Sequence, residues 1–295
     1  MQQHLTQYRT VALCEALQVS RSGFHAWLAR PVNARKLQLS TAIAACHASH
    51  QARAGAPSIA ADIQAQGLCV SVRTVGRIMQ NLGLRAKSCR KFKRTTDSSH
   101  QYGASPNLLN RAFIVSKPNQ VWVGDITYIR TNEGWLYLAV MLDLYSRQVV
   151  GWQMSHRIDR HLVCDALQAA LLTRGNPKGL MVHSDQGVQY ASGDYRQVIS
   201  QHQLVQSMSR RGNCWDNAVA ESFFATLKKQ AIHGERFITR QAAQQHIFEY
   251  IECYYNRVRR HSTNGWVSPV DFEAAYYKSM DLVNKMDNHP LIRLN

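Results

Sequence analysis

The chain has 295 residues, of which 35 are lysine or arginine and 19 are aspartate or glutamate, giving a formal net charge of +16. Apolar residues make up 45% of the sequence, which is typical of a folded globular protein and excludes disorder along most of it. No apolar run approaches the roughly 18 residues of a membrane helix, and the first ten residues lack a signal-peptide core. We therefore predict a cytoplasmic protein with no membrane partner.

The positive charge is concentrated in the first third of the chain. Residues 1–105 carry 14 basic and 3 acidic side chains, a net charge of 14 − 3 = +11, while residues 106–295 contribute 21 − 16 = +5. Residues 63–96 contain eight basic side chains and no acidic one. Cations without balancing acids repel one another unless an anion lies beside them, so we favour a nucleic acid partner over a merely solvated surface.

The pattern of helix, tight turn and helix occurs twice in the first 86 residues. Residues 1–30 contain two short amphipathic segments separated by Ser20, a typical helix N-cap, and residues 31–86 contain a second pair separated by Gly67. A small helical bundle without any DNA role uses the same signals. Two helix-turn-helix units in tandem, both followed by cations, favour DNA binding.

Basic side chains in and after these units are the predicted DNA contacts. Arg73 and Arg77 lie four residues apart and therefore share one face of the last helix, where a recognition helix presents its contacts. Residues 87–118 are predicted to be a basic linker. The contacts predicted in this part of the chain are Arg21, Arg73, Arg77, Lys87, Arg90, Lys91, Lys93 and Arg94.

From residue 119 the sequence pattern changes to that of an α/β domain, assigned to residues 119–278 and followed by a tail of residues 279–295. Three segments rich in β-branched and aromatic residues predict an antiparallel meander, and the order of elements is β-β-β-α-β-α-β-α-α. The fold class is therefore α/β, with a mixed five-stranded sheet and flanking helices preceded by all-α helix-turn-helix modules.

Three acidic residues of this domain are candidates for catalysis. Asp125 interrupts an apolar strand, Asp185 follows the end of a short buried strand, and Glu221 lies in a helix. A carboxylate inside a strand is costly unless it is paired, hydrogen-bonded or bound to a metal. Asp143, at the end of the second strand, is interpreted instead as a turn residue that caps its own backbone.

Convergence of the three carboxylates would require a divalent cation or raised pKa values. Two like charges about 4 Å apart repel by about 4 kcal/mol at an effective dielectric constant of 20. Oxygen-only ligands suit Mg²⁺ or Mn²⁺, and two such ions about 3.5 to 4 Å apart serve phosphoryl transfer by activating the attacking oxygen and stabilising the leaving one. We therefore predict two Mg²⁺ or Mn²⁺ ions per site.

Six segments also connect the chain to a known family, namely VALCEALQVSRSGFHAWLAR, GAPSIAADIQAQG with SVRTVGRIMQNLGLRAK, PNQVWVGDITYIRTNEGWLYLAVMLDLYSRQVVGW, VHSDQGVQYAS, SMSRRGNCWDNAVAESFFATLKK and YIECYYNRVRRHSTNGWVSPVDFE. With them the chain resembles transposases of the insertion-sequence three (IS-three) family, specifically their second-reading-frame product. The core of that product is similar to retroviral integrases and belongs to the RNase H-like DDE superfamily.

The resemblance implies a DNA transposase in which Asp125, Asp185 and Glu221 bind two Mg²⁺ ions. Such an enzyme cleaves the 3′ end of its element and transfers it to a second DNA strand. The implied partners are double-stranded DNA, as terminal inverted repeats and as target, a second copy of the chain in a homo-oligomer, and a first-reading-frame protein or a fusion with it. In a bacterium such a protein is expected in the cytoplasm and, when bound, at the nucleoid.

Retroviral integrases also carry an HHCC zinc module, which this chain lacks in sequence. His47 and His50 are followed by Cys69 and Cys89 with no CxxC pair, so we predict no zinc.

Residues near the triad are assigned from spacing. Lys228, seven residues after Glu221, lies on the same helical face and is expected to hold a DNA phosphate. His183, two residues before Asp185, is either a partner that orients the acid or a satisfied core histidine. Further predicted DNA contacts are Arg210, Arg211 and Asn213 in a loop, and Arg257, Arg259 and Arg260, for which a salt-bridged structural role is an alternative.

Two other functions stay open on the sequence. The chain could be a catalytically silent DNA-binding regulator, against which the intact triad argues. It could also be an RNase H-like structure-specific nuclease, which would share the metals but would not need tandem helix-turn-helix units.

Overall fold

The computed structural model describes residues 6–29, 33–87, 105–210 and 214–287. Within them, no helix has the length and apolar character needed to cross a bilayer. The helices are α1 (Thr10–Ala16), α2 (Arg21–Leu28), α3 (Ala34–Ser49), α4 (Ala56–Ala65), α5 (Val72–Asn81), α6 (Arg160–Arg174), α7 (Gly193–Gln201), α8 (Ala218–Leu227), α9 (Arg240–Phe248) and α10 (Pro269–Asp287), and the strands are β1 (Val121–Thr131), β2 (Gly134–Asp143), β3 (Val149–Ser155), β4 (Met181–Ser184) and β5 (Val205–Met208).

The first predicted helix pair is present as α1 and α2. The Ser20 hydroxyl accepts a hydrogen bond from the Gly23 amide at 3.0 Å and so caps α2, as the sequence predicts. The second pair is present as α4 and α5, but α3 was not predicted. Alanine and polar residues fill much of α3, so its apolar face, which includes Leu39 and Ile43, gives a weak periodic signal. Together α3, α4 and α5 enclose a core of their own.

The sheet has the strand order β3-β2-β1-β4-β5. The antiparallel meander of β1, β2 and β3 is confirmed, and β4 and β5 add to it in parallel. Side chains of β1 alternate between two cores: Val121 and Val123 pack with α8 and α9, whereas Trp122 packs with α6 and α7 on the opposite face. The result is the predicted mixed five-stranded sheet between two helical layers.

Asp143 is a buried turn residue, as the sequence predicts. Its carboxylate accepts hydrogen bonds from the backbone amides of Asn119 at 2.7 Å and Tyr145 at 2.8 Å, and from the Trp122 indole at 3.3 Å. These donors compensate for its burial and tie the start of β1 to the turn after β2. The Asp143 carboxylate thus has a structural role, and Asp143 is not part of the candidate triad.

Part of the segment that we predicted to be a linker packs on the sheet domain. The amides of Leu108 and Leu109 donate to the Ser207 hydroxyl at 3.0 and 3.2 Å, and Leu109 is buried in the core that faces α8. Residues 105–113 therefore cover the end of β5, and this stretch is not a free linker. Arg90, Lys91, Lys93 and Arg94 lie outside the described residues.

Two of the helices are followed by a π-helical turn, and the last helix of the described chain is long. A π-helical turn, Lys228–Ile232, follows α8, and a second, Glu249–Tyr255, follows α9. The helix α10 continues through residue 278, where we placed the end of the catalytic domain, to Asp287.

Candidate active site

The parallel pairing of β1 with β4 places two of the predicted acids at one edge of the sheet. Val123 pairs with His183, so Asp125 and Asp185 each follow the last pair by two residues. Asp185 directly follows the carboxyl end of β4, where ligands commonly bind in such folds, and Asp125 occupies the matching position in β1, which continues to Thr131. The structure therefore brings Asp125 and Asp185 to the same place from positions far apart in the sequence.

Each aspartate is oriented by a backbone amide close to it in the chain. Asp125 Oδ1 accepts a hydrogen bond from the Ile126 amide at 2.8 Å, and Asp185 Oδ1 accepts one from the Gly187 amide at 2.9 Å. A Cβ atom at residue 187 would lie 3.0 Å from Asp185 Oδ1, so glycine allows this turn to close tightly around the carboxylate. Both carboxylates are thus held by the main chain.

The third acid comes from α8, whose start is attached to β1. The Asn217 side-chain amide donates to the Gly124 carbonyl at 3.3 Å, and Glu221 lies one helical turn after Asn217. Ala220 and Leu227 on the buried face of α8 hold the helix against the sheet. Glu221 is consequently carried to the strand that bears Asp125.

The three carboxylates do not form a tight cluster. Among the described residues, the ligand atoms of the triad do not all lie within 4.8 Å of one another. The group that meets this criterion is formed by Cys46, His50 and Asp62. Wider spacing reduces the repulsion between three like charges. It is also compatible with carboxylates that line opposite sides of a two-ion site.

Tyr190 was missed by the sequence analysis and lies beside the triad. Its ring comes within 3.5 Å of the Cβ position of residue 124, and the side chain is 1% exposed. Its hydroxyl has no hydrogen-bond partner among the described residues. Burial and the nearby negative charges of Asp125 and Asp185 hold the pKa of this phenol well above its ordinary value. The hydroxyl therefore stays protonated in the folded protein; the segment VQYAS carried the only sequence signal for this residue.

Lys228 lies near the triad, as its spacing predicts. Its ammonium nitrogen is 5.0 Å from the centroid of the Tyr128 ring, a cation–π distance. Burial lowers the pKa of this lysine and the negative charge of Asp125 opposes that shift. Lys228 is thus a half-buried cation whose position is set by an aromatic ring and a carboxylate.

His183 is a satisfied core histidine, which decides between the two roles left open above. Its Nδ1 lies 2.8 Å from the Ser207 hydroxyl and its Nε2 lies 3.0 Å from the Asp216 carbonyl oxygen. Because a carbonyl only accepts, the hydrogen-bond network assigns the proton to Nε2. Burial lowers the pKa of His183 to about 4, so the neutral ring joins β4, β5 and the turn before α8.

Asp216 is the second residue that the sequence analysis missed. It is buried directly before α8 and accepts hydrogen bonds from Arg210 Nε at 3.0 Å, Arg111 Nε at 2.8 Å and Asn107 Nδ2 at 2.9 Å. The hydrogen bonds from Arg210 hold the pKa of this carboxyl well below its usual range, against the effect of burial. Arg210 therefore forms a structural ion pair with Asp216, although its side chain is 52% exposed. Arg211 and Asn213 lie outside the described residues.

Some of the other predicted DNA contacts are exposed, and the others interact with side chains of the protein. Arg21, Arg73, Arg77 and Arg257 are exposed, and Lys87 pairs with Glu235 at 3.1 Å. By contrast, the guanidinium of Arg259 lies 5.6 Å from the Tyr255 ring centroid, and Arg260 donates to Asp62 at 2.7 Å. For Arg260, the structure shows the salt-bridged role that was the alternative.

Comparison with known proteins gives matches along most of the chain. Family models described as an integrase core domain match residues 115–214 and 221–276, and a model described as an HTH-like domain matches residues 34–92. The transposase InsF for insertion sequence IS3A of Escherichia coli strain K12 is 46% identical over 279 residues, which are 92% of this chain and 96% of that protein. A 31 kDa protein of insertion element IS600 of Shigella sonnei is 41% identical over 90% of this chain and 99% of its own.

Solved structures are more distant. The HTLV-2 integrase catalytic core domain in complex with magnesium, in a trimeric form, is 16% identical and covers 53% of this chain and 97% of its own, with a TM-score of 0.42.

The neutral state of His183 predicts a pH dependence of stability. The unfolded imidazole takes up a proton below its ordinary pKa of about 6.5, whereas the folded protein resists protonation down to about pH 4. The free energy of unfolding therefore keeps its full value above pH 6.5 and decreases as the pH falls towards 4, by at most about 1.4 kcal/mol per pH unit. Urea unfolding of the wild type and of His183→Gln between pH 7 and 4.5 measures this difference. His161→Gln, at an exposed position of α6, is the control and should keep the wild-type slope. Equal slopes for wild type and His183→Gln would contradict the assignment.

Proposed function

The chain belongs to the IS3 family of insertion-sequence transposases, whose integrase-type core makes it a polynucleotidyl transferase, and we propose that Asp125, Asp185 and Glu221 are its catalytic carboxylates. In this proposal the three acids hold two Mg²⁺ or Mn²⁺ ions. The enzyme then cleaves the 3′ end of the element and transfers it to a second DNA strand. The observation that carries the proposal is the register of β1 with β4, because it brings two acids 60 residues apart to one sheet edge beneath α8.

The donor set at this edge fits hard divalent cations. All three ligands are carboxylates, and an acid within a strand, such as Asp125, is stabilised when a cation lies beside it. The chemistry that two such ions supply when bound is activation of the attacking oxygen and stabilisation of the leaving one. The chain's own part is to hold the carboxylates still, which it does through the main-chain amides of Ile126 and Gly187.

Neighbouring residues have separate roles in this proposal. Lys228, held over Tyr128, presents its ammonium group to a phosphate of the DNA strand that enters beside Asp125. His183 and Asp216 do not touch the substrate, and they position α8 and hence Glu221. Each of these roles keeps the reacting phosphate in line with the attacking oxygen.

DNA binding is assigned to the helical modules and to basic residues around the core. Arg73 and Arg77 project from the exposed face of α5, whose other face packs in the module core, and Arg21 lies at the start of α2. These side chains are exposed, no ion pair joins them to another residue of the described ranges, and they can reach phosphates or base edges. We expect double-stranded DNA with the terminal inverted repeats of the element, and target DNA, as ligands.

Assembly follows from handling two DNA ends. We expect a homo-oligomer on DNA, together with a first-reading-frame protein or a fusion with it. The contacts predicted at Arg90, Lys91, Lys93, Arg94, Arg211 and Asn213 remain predictions, since these residues lie outside the described part of the chain.

The catalytic proposal is tested with an Asp125→Asn variant. A labelled duplex that ends in the element's terminal inverted repeat is incubated with protein and Mg²⁺, and cleaved and joined strands are separated on a denaturing gel. Loss of one anionic ligand should reduce both products at least about 100-fold, since removing even outer partners of a metal site typically costs about 10- to 100-fold. Asp194→Asn, which alters an exposed carboxylate paired with Arg160, is the matched control and should leave both products unchanged.

The same assay separates the three candidate functions. Cleavage without joining would favour a structure-specific nuclease. Binding without any chemistry in the wild type, with the first-frame protein supplied, would favour a silent regulator and contradict the proposal. Full activity of Asp125→Asn would remove the triad from the mechanism.

A phosphate contact at Lys228 predicts a change in salt dependence. Lys228→Ala should weaken binding of the same duplex and reduce the magnitude of the slope of log K against log salt by about 1, because one fewer counterion is released. Lys229→Ala, which removes an exposed neighbouring lysine, should change the slope less. Fluorescence anisotropy titrations between low and physiological salt measure both slopes. The contact at Lys228 is excluded if the two variants have the same slope.

A further inference from the structure

A group of potential metal ligands lies far along the chain from the triad, between α3 and α4. His50 Nε2 is 2.7 Å from Asp62 Oδ2, and Cys46 Sγ is 3.7 Å from the same oxygen. Cys46 and His50 are four residues apart and therefore lie on one face of α3 and its C-terminal end. The ligand atoms of all three residues lie within 4.8 Å of one another.

An adjacent cavity gives these atoms room for a further ligand. It has a volume of about 500 Å³, and all three side chains line it. Cys46 is 8% exposed and His50 is 4% exposed, so the cavity reaches an otherwise buried group. A buried set of sulfur, nitrogen and oxygen atoms beside such a space has the composition and access of a metal site.

We propose that Cys46, His50 and Asp62 bind one Zn²⁺ ion, with water from the cavity as the fourth ligand. Thiolate, imidazole and carboxylate together favour zinc over Mg²⁺, which prefers oxygen ligands. In a tetrahedral site the zinc-to-ligand distances are about 2.0 to 2.3 Å, which place neighbouring ligand atoms about 3.3 to 3.6 Å apart. The two observed separations lie within about 0.6 Å of that range, so small side-chain movements suffice.

The surroundings orient two of the ligands as a metal site requires. His50 Nδ1 lies 3.2 Å from the Tyr254 hydroxyl, which can accept its proton and leave Nε2 for the metal. Arg260 Nε donates to the other oxygen of Asp62, Oδ1, at 2.7 Å, so Oδ2 remains directed at His50 and Cys46. A thiolate and a carboxylate together carry two negative charges, which balance one Zn²⁺.

Binding requires the loss of the thiol proton. The S–H bond of Cys46 breaks, a bond from sulfur to zinc forms, and the proton passes to solvent. His50 Nε2, which donates to Asp62 Oδ2 before the ion binds, loses its proton while Nδ1 gains one, and Nδ1 then donates to the Tyr254 hydroxyl. Zinc affinity should therefore increase with pH, because each ion bound releases a proton.

The site lies where the helical module meets the catalytic core. Cys46, His50 and Asp62 belong to the module, whereas Tyr254 and Arg260 belong to the segment that follows α9. An ion here would brace the two parts through the hydrogen bonds of His50 and Asp62. The proposal departs from the prediction of no zinc, which concerned only the HHCC set; His47 of that set is bonded to the Arg85 carbonyl at 3.1 Å and Cys69 is exposed.

Cobalt substitution tests the proposal on the full chain, independently of transposition. A thiolate ligand gives a charge-transfer band in the near ultraviolet when Co²⁺ binds, which a carboxylate-only site cannot produce. The wild type should show this band at one equivalent, and Zn²⁺ should abolish it. Cys46→Ser should lose the band, whereas the control Cys164→Ser, at an equally buried cysteine in α6, should keep it.

A second variant keeps the test decisive if Cys46→Ser fails to fold, which far-ultraviolet circular dichroism would show. Tyr254→Phe preserves the ring but removes the acceptor for His50 Nδ1, and it should weaken Co²⁺ binding about 10-fold. Absence of the band in the wild type, or a band that persists in folded Cys46→Ser, would overturn the proposal. In that event the three residues would serve only as a metal-free polar link between module and core.

Discussion

A short stretch of parallel pairing between β1 and β4 is the constraint on which the candidate site depends. Only Val121 to Val123 pair with Met181 to His183, yet this register sets which residue of β1 lies beside the end of β4. A slip of one residue would turn every side chain of β4 to the opposite face and separate Asp185 from Asp125. The register is secured because Val123 and Val182 belong to cores on opposite faces of the sheet, so a shifted strand would expose apolar surface and bury polar groups.

The second requirement is a fixed start for α8, which buried polar groups provide. His183 and Asp216 connect β4, β5 and the turn before α8, while Asn217 joins that turn to β1. These hydrogen bonds limit the arrangements that the turn can adopt. Rigid support of this kind is what an enzyme needs to hold Glu221 in line with the two aspartates. In the proposed function the positive charge of the chain acts at two ranges, because exposed arginines such as Arg73 would attract DNA and Lys228 would guide one phosphate to the acids.

Local patterns in the sequence were sufficient for the elements that carry the triad. Apolar alternation predicts the strands, and the cost of a charge inside one of them singles out Asp125. What could not be predicted depends on partners distant in the chain. The role of Asp216 requires Arg111 and Asn107, the burial of Tyr190 requires β1, and Arg260 finds its partner Asp62 in another module. The helix α3 was not predicted because alanine gives little contrast between the apolar and polar faces of a helix. Residues 105–113 were predicted to be part of a linker because their contacts are made by backbone amides, which leave no signal in the sequence.

Crystals of the full chain grown with Mn²⁺ and element-end DNA, examined by anomalous scattering, address the central claim most directly. Two anomalous peaks about 3.5 to 4 Å apart, ligated by Asp125, Asp185 and Glu221, are the predicted result. Asp125 and Asp185 should ligate the ions from β1 and from the turn after β4, and Glu221 should approach from α8. Manganese bound only elsewhere on the chain, with the three carboxylates turned away from one another in the presence of DNA, would contradict the assignment of this sheet edge as the catalytic site.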